Sequence, residues 1–186
     1  PDLSAMLAGA SRGDEGAWRE LALLYGRHVF ALVRSRVGSD DLAEEISQSV
    51  FATIATKLRD GGYEEIGRFE PWLFRIAMNR VRDNVRHAKR RSGVLSLNAS
   101  PEPVMDRPEI EMDGADRAGL RAAVENLSEA DREIIELRHH AGMGFRQMAE
   151  LLGEPVGTLL ARHHRALQKL RAMLAPLKDQ EGEDTR

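Results

Sequence analysis

The sequence predicts an all-α protein: two small helical domains joined by a flexible linker, the C-terminal one carrying a helix-turn-helix. Three observations carry this reading. On both sides of the linker, apolar residues recur at steps of three and four, the period of one helix face. The 186 residues are 31% charged and 5% aromatic, a balance that suits Leu-, Ala- and Arg-rich bundles better than a β-sandwich. Between them, Ser92 to Asp116 holds Pro101, Pro103 and Pro108, carries more acids than bases and lacks a helical period, as a linker does. The implied division is a first domain over 1–91, an acidic linker over 92–117, a second domain over 118–178 and a charged tail over 179–186.

The elements follow in order. Ser11 to Gly16 is turn-like, with Ser11 or Asp14 as the cap of a helix from Ala17 to Val37. Its stripe is Leu21, Leu24, Tyr25, His28, Val29 and Leu32, which reads His28 as a packed core histidine, and Gly38 ends it. Ser39 to Asp41 supplies the next cap, with acids where the helix dipole favours them. In the helix that follows, Leu42, Ile46, Val50, Ile54 and Leu58 face a core. Asp41, Glu44, Glu45 and Gln48 lie on another side, a pattern that by itself favours a solvated acidic face over the alternative, a docking surface for a basic partner helix. Arg59 to Glu70 has three glycines together with Tyr63 and Phe69 and reads as a loop. Pro71 then opens a helix to Arg91, with apolar positions at Leu73, Ile76, Ala77, Val81 and Val85. Arg75, Asn79, Arg82 and Arg86 fall in one row. The segment holds seven Lys or Arg against one acid, Asp83, in a chain whose formal net charge is −3. Charge segregated in this way neutralises phosphates and releases counterions.

Beyond the linker, Ala118 to Asn126 reads as a short helix. Ser128, with Asp131 three residues on, caps the next, which carries Ile134, Ile135 and Leu137. Gly144 to Met173 is then two helices joined by a tight turn. Phe145, Met148, Ala149 and Leu152 share a face of the first, and Gly153 and Pro155 interrupt it. Val156, Leu159, His163, Ala166, Leu167, Leu170 and Leu174 keep helical spacing in the second, while Arg162, His164, Arg165, Lys169 and Arg171 take other faces. A basic second helix after such a turn is the element that enters a DNA major groove, although an ordinary helical hairpin shows the same pattern.

Several classes recede. Without cysteine there is no disulfide framework, thiolate metal site or thiol nucleophile. His139 and His140, like His163 and His164, are neighbours on a helix and point to different faces, so no metal and no cofactor is expected. Neither a Gly-rich phosphate loop nor a nucleophile with a placed base is visible, and adjacent Glu44 and Glu45 make a poor catalytic pair, so an enzyme is not expected. No apolar run reaches membrane-spanning length, and Pro1 to Ala10 lacks the features of a signal peptide, which points to a cytoplasmic protein without membrane insertion. A stand-alone helix-turn-helix regulator accounts for Gly144 to Met173 but not for the basic helix and its acidic companion. An adaptor that binds only protein accounts for neither basic face.

Taken together and in order, these segments resemble the bacterial sigma factors of the extracytoplasmic-function group, promoter-recognition subunits of RNA polymerase. Asp41-Leu-Ala-Glu-Glu-Ile-Ser-Gln-Ser-Val-Phe51 is similar to the family's D-A-E-D-L-V-Q-E-x-F, and Trp72-Leu-Phe-Arg-Ile-Ala-Met-Asn79 to W-L-x-x-I-A-x-N. Leu127-Ser-Glu-Ala-Asp-Arg-Glu-Ile-Ile-Glu-Leu-Arg138 resembles L-P-x-x-x-R-E-V-x-x-L-R. Met148-Ala-Glu-Leu-Leu-Gly153 resembles I-A-x-x-L-G, and Val156 to Ala166 resembles V-G-T-V-K-S-R-L-x-R-A.

The resemblance implies core RNA polymerase, through its β′ and β subunits, and promoter DNA as partners, and regulation by an anti-sigma factor. It implies that Asp41, Glu44, Glu45 and Gln48 dock polymerase. Tyr63, in the loop before the basic helix, and Arg75, Asn79, Arg82, Asp83 and Arg86 on it would recognise the opened minus-ten element, with one base flipped into a pocket of the loop. Thr158, Arg162, His164 and Arg165 would read the minus-thirty-five element in the major groove. The linker would thread toward the polymerase active-site channel, its acids mimicking nucleic acid. One departure stands out: the family's Lys-Ser dipeptide is Leu160-Ala161 here, which removes a cation and a hydroxyl from the reading helix.

Overall fold

The structure is a computed structural model that describes residues 2–64, 67–92 and 114–181, and all regular elements among the described residues are helices. They are α1 (Leu3–Ser11), α2 (Glu15–Val37), α3 (Asp40–Arg59), α4 (Phe69–Ser92), α5 (Gly114–Glu125), α6 (Glu129–His139), α7 (Phe145–Leu152) and α8 (Val156–Glu181). The chain divides into two compact units, residues 1–103 with 140–143, and residues 104–139 with 144–186. The stretch 93–113, which carries most of the linker reading with Asp106, Glu109, Glu111 and Asp113, lies outside the described residues, as does 182–186 of the tail.

In the first unit α2, α3 and α4 pack against one another, and α1 packs on α2 and α3. The core is Leu21, Tyr25, Val29, Leu32 and Val33 of α2, Ala43, Ile46, Val50, Ile54 and Leu58 of α3, and Leu73, Phe74, Ala77, Met78 and Val81 of α4. α2 is capped by Asp14, whose carboxylate accepts from the Gly16 and Ala17 N–H groups at 2.8 and 3.3 Å. Ser11 is instead the last residue of α1 and bonds the Ala8 carbonyl. Gly38 closes α2 at φ 72°, a left-handed conformation that costs glycine nothing. Ser39 caps α3, accepting from the Leu42 N–H at 3.5 Å.

The differences from the sequence reading have physical causes. α1 is too short and too weakly patterned to be read as a helix, and it is held by its neighbours: Asp2 caps it, Met6, Leu7 and Ala10 are buried, and Trp18 donates to the Ala10 carbonyl at 3.2 Å. Gly9 lets it cross α2 closely, since a Cβ there would meet that of Ala17 at 2.9 Å. Leu24 is exposed and His28 only half-buried, so the core edge of α2 runs through Val33 instead. α4 begins at Phe69, two residues before Pro71, because a proline lacking its N–H is accommodated anywhere in the first turn. Its buried face includes Phe74 and Met78, while Ile76 and Val85 are half-buried.

In the second unit α8 is the spine, with α5, α6 and α7 packed on it. Leu159, Ala166 and Leu170 of α8 meet Ala123, Leu127, Ile134, Ile135, Leu137 and Met148 in the core. α5 starts at Gly114, ahead of the apolar period that begins at Ala118, and α8 continues to Glu181 into the charged tail. Ser128 caps α6, accepting from the Asp131 N–H at 3.3 Å. The turn between α7 and α8 forms because Gly153 takes φ 72° and donates to the Ala149 carbonyl, and the Pro155 carbonyl then accepts from Thr158 and Leu159.

Candidate nucleic-acid interfaces

Three exposed faces carry the residues singled out in the sequence. The first lies on α3. Burying Ala43, Ile46 and Val50 turns Asp41, Glu44, Glu45 and Gln48 outward, and all four are exposed. The Gln48 side-chain amide donates to Glu44 at 3.1 Å, so acid and amide form one patch.

The second face belongs to α4. With Leu73, Phe74, Ala77, Met78 and Val81 inward, Arg75, Asn79, Arg82, Asp83 and Arg86 are all exposed. Arg86 lies 3.7 Å from Asp83 one turn back, a weak exposed pair that a phosphate can displace. Arg80, counted among the cations of this segment, is anchored to α3 through the Thr53 hydroxyl at 2.9 Å. Beside the start of α4 four aromatic rings cluster. Tyr63 lies 4.4 Å from Trp72 and 5.7 Å from Phe69 between centroids, and Tyr25 lies 5.3 Å from Phe69. The Tyr25 hydroxyl donates to Glu70 at 2.8 Å. Phe69 is 2% exposed, so it anchors the cluster and offers no stacking face, whereas Tyr63 and Trp72 are half-buried. Trp72 is the aromatic surface that the sequence reading of the site left out.

The third face is on α8. Thr158, His164 and Arg165 are exposed. Arg162 is used differently: its guanidinium makes a bidentate pair with Glu154 at 2.9 and 2.6 Å, bracing the turn against the helix. The hydrogen bonds from Arg162 hold the Glu154 carboxyl below the usual carboxylate range, and the same bonds raise Arg162 above its ordinary value, burial opposing each shift. Eight residues separate the two across a turn, which no single-helix spacing rule reveals; an acid placed beside Pro155 in the turn is the one available hint. Lys169 is likewise engaged, reaching Asp131 of α6 at 2.5 Å, and Gln168 donates to His164 at 3.0 Å.

His139 and His163, distant in sequence, are brought together. Their Nε2 atoms lie 3.3 Å apart, one imidazole donating its N–H to the bare nitrogen of the other, and Phe145 meets the His163 ring edge-on at 5.3 Å. Arg138 lies 5.4 Å over the Phe145 ring. Burial first, then the nearby His139, Arg138 and His164, lowers the pKa of His163 and favours its neutral form. The pair ties the end of α6 to α8. Among the described residues no group of three or more His, Asp or Glu could hold a metal ion.

Both regions match family models: Sigma-70 region 2 over residues 21–91 and Sigma-70, region 4 over residues 117–170. RNA polymerase sigma factor CarQ of Myxococcus xanthus is 30% identical over 166 residues, covering 89% of this chain and 94% of that one. The chain belongs to the extracytoplasmic-function group of RNA polymerase sigma factors. Its function is that of the family, promoter-specific transcription initiation with core RNA polymerase. ECF RNA polymerase sigma factor RpoE of Cereibacter sphaeroides is 30% identical over 167 residues, covering 85% and 86% of the two chains. Among solved structures, CnrH in complex with the cytosolic domain of CnrY has a TM-score of 0.66 at 26% identity, covering 91% of this chain and 95% of that one. Region 2 of the sigma factor therefore contains the acidic face of α3 and the basic face of α4, and region 4 contains α6, α7 and the first half of α8. None of its described helices is long and apolar enough to cross a membrane.

Proposed function

We propose that the sigma factor divides promoter recognition between its two helical units. The first, within residues 1–91, docks core polymerase and holds the opened minus-ten element; the second, 118–178, reads the minus-thirty-five element; residues 92–117 connect them and 179–186 form a charged tail. On α3, Asp41, Glu44, Glu45 and Gln48 engage a basic helix of the β′ subunit, and other surfaces engage β. On α4, Arg75, Arg82 and Arg86 neutralise phosphates of the separated strand, Asn79 bonds a base edge, and Asp83 positions Arg86. Tyr63, with Trp72 beside it, offers the aromatic surface against which a flipped base stacks. On α8, Arg165 and His164 approach base edges and Thr158 a phosphate. Arg162 holds the turn through Glu154 and reaches DNA only by giving up that pair.

What supports this reading is the row of exposed Arg75, Asn79, Arg82 and Arg86 in the segment that matches region 2, in a chain whose net charge is −3. The sigma factor acts in the cytoplasm as a binding subunit, without chemistry or a cofactor of its own. An anti-sigma factor covers the acidic face of α3 when the protein is held inactive; the similar CnrH is likewise bound by another protein, the cytosolic domain of CnrY.

Run-off transcription with purified core polymerase, on promoters selected with the reconstituted holoenzyme, tests the assignment. Specific transcripts depend on the protein, and Glu45→Lys abolishes them by loss of core binding while isolated DNA contacts persist. A protein that bound operator-like duplex alone, without joining polymerase, would overturn the division of roles.

A further inference from the structure

The outward face of α8 has an apolar residue where DNA is to be met. Leu160 is 47% exposed, and it lies one turn before His164 and between Gly157 and Ala161, both exposed and neither carrying more than a methyl group. The other faces of the helix are committed. Leu159 and Ala166 are buried, Arg162 is paired with Glu154, and His163 is held by His139 and Phe145. A lone exposed leucine is ordinary on a protein surface. Its place is what gives this one meaning: the N-terminal part of the second helix of a helix-turn-helix is the part that meets base edges. Small neighbours let the helix backbone come close to the floor of the groove.

We propose that Leu160 is a specificity-determining residue of the upstream contact, selecting a thymine through its C5-methyl group. The inference rests on the reading of α8 as the minus-thirty-five element helix. The major groove offers hydrogen-bond donors and acceptors on every base pair but only one apolar group, the thymine methyl. A leucine can make no hydrogen bond there, so polar edges opposite it lose water without compensation, whereas the thymine methyl loses water favourably. A lysine at this position would favour guanine or a phosphate. The Leu160-Ala161 dipeptide therefore changes the base preference of this helix; it does not merely weaken it.

The test uses holoenzyme reconstituted with core polymerase. Promoters are first selected from a library randomised across the upstream element. Wild-type enriches thymine at one position, and Leu160→Lys removes that enrichment while keeping the others. Each thymine of a selected promoter is then replaced singly by deoxyuridine, which deletes only the methyl group. At one position wild-type affinity falls about fourfold, the effect of one buried methyl-sized group. Leu160→Ala binds the two DNAs equally. Leu167→Ala, which truncates another exposed leucine further along α8, keeps the fourfold difference. If Arg165→Ala weakens upstream binding yet no uracil effect depends on Leu160, the thymine contact is wrong and the reading of α8 survives. If Arg165→Ala leaves upstream binding unchanged, the reading of α8 fails and the thymine contact falls with it.

Discussion

Arg162 and Arg165 stand three residues apart on α8 and have the same chemistry, but their surroundings assign them different tasks. Arg162 is half-buried and bidentate to Glu154, whereas Arg165 is exposed. Removing Arg162 leaves Glu154 without its partner and loosens the turn, so Arg162→Ala lowers the stability of the second unit by about 0.5–1 kcal/mol, the range for a partly exposed pair. It lowers DNA binding only to the extent that the turn is disturbed. Arg165→Ala leaves thermal melting unchanged and weakens binding to the upstream element by about 1–3 kcal/mol if it meets a guanine. Melting curves and affinities on the same two variants separate these outcomes. The carboxylates give a pH dependence with a definite sign. Glu154 and Asp131 both have lowered pKa values, through hydrogen bonds from Arg162 and Lys169 respectively. Folding therefore releases protons. The stabilisation is complete above the ordinary values of 4.5 and 3.8 and is lost as pH falls through the lowered ones. Acid titration of the second unit followed by circular dichroism should show Glu154→Gln with a shallower loss of stability below about pH 4.5 than wild-type.

At the scale of the element, α4 shows how one helix both fills a core and presents an exposed basic row. Its inward row, Phe69, Leu73, Phe74, Ala77, Met78 and Val81, fixes its rotation, and that rotation sends Arg75, Asn79, Arg82 and Arg86 to solvent. Phe69→Ala removes a fully buried ring that touches Tyr25, Tyr63 and Trp72 and costs about 3–5 kcal/mol, enough to unfold a small unit. Asn79→Ala leaves melting unchanged but slows or weakens opening about two- to tenfold, the range of one hydrogen bond, as read by fluorescence of 2-aminopurine in the minus-ten element. The helical period displayed the outward row in the sequence, because spacing within one helix is local. It did not display Phe69 as core, since three nearby glycines made the segment look like a loop and its partners come from α2 and from elsewhere in that loop. The same limit hid α1, whose packing contacts are with α2 and α3, and the pairs Arg162–Glu154, Lys169–Asp131 and His139–His163. Each of these joins positions that only the turn or the packing of α6 on α8 brings together.

At the scale of the whole molecule, charge decides how the protein approaches DNA. The chain carries 27 Lys and Arg against 30 Asp and Glu, so its net field does not draw it to DNA, and any attraction comes from local faces. Each phosphate neutralised releases condensed counterions, and the number released depends on the form of DNA. The slope of log affinity against log salt changes by about 0.9 per contact on duplex and about 0.7 on a single strand. Arg86 on α4 is assigned to the separated strand and Arg165 on α8 to the duplex. Measured on a promoter complex of the holoenzyme across a salt series, Arg86→Ala should therefore reduce the slope by about 0.7 when the minus-ten region is supplied already mismatched. Arg165→Ala should reduce it by about 0.9 if its contact is to a phosphate, and by less if the guanidinium lies wholly on a base. Gln48→Ala, on the acidic face, should weaken core binding and leave the DNA slope unchanged. An Arg86→Ala slope that shifts equally on fully paired DNA would place α4 on the duplex, and a slope that does not shift at all would remove Arg86 from the phosphate contacts. The two helices are then distinguished by a property of the nucleic acid they hold, independently of where promoter sequence is read.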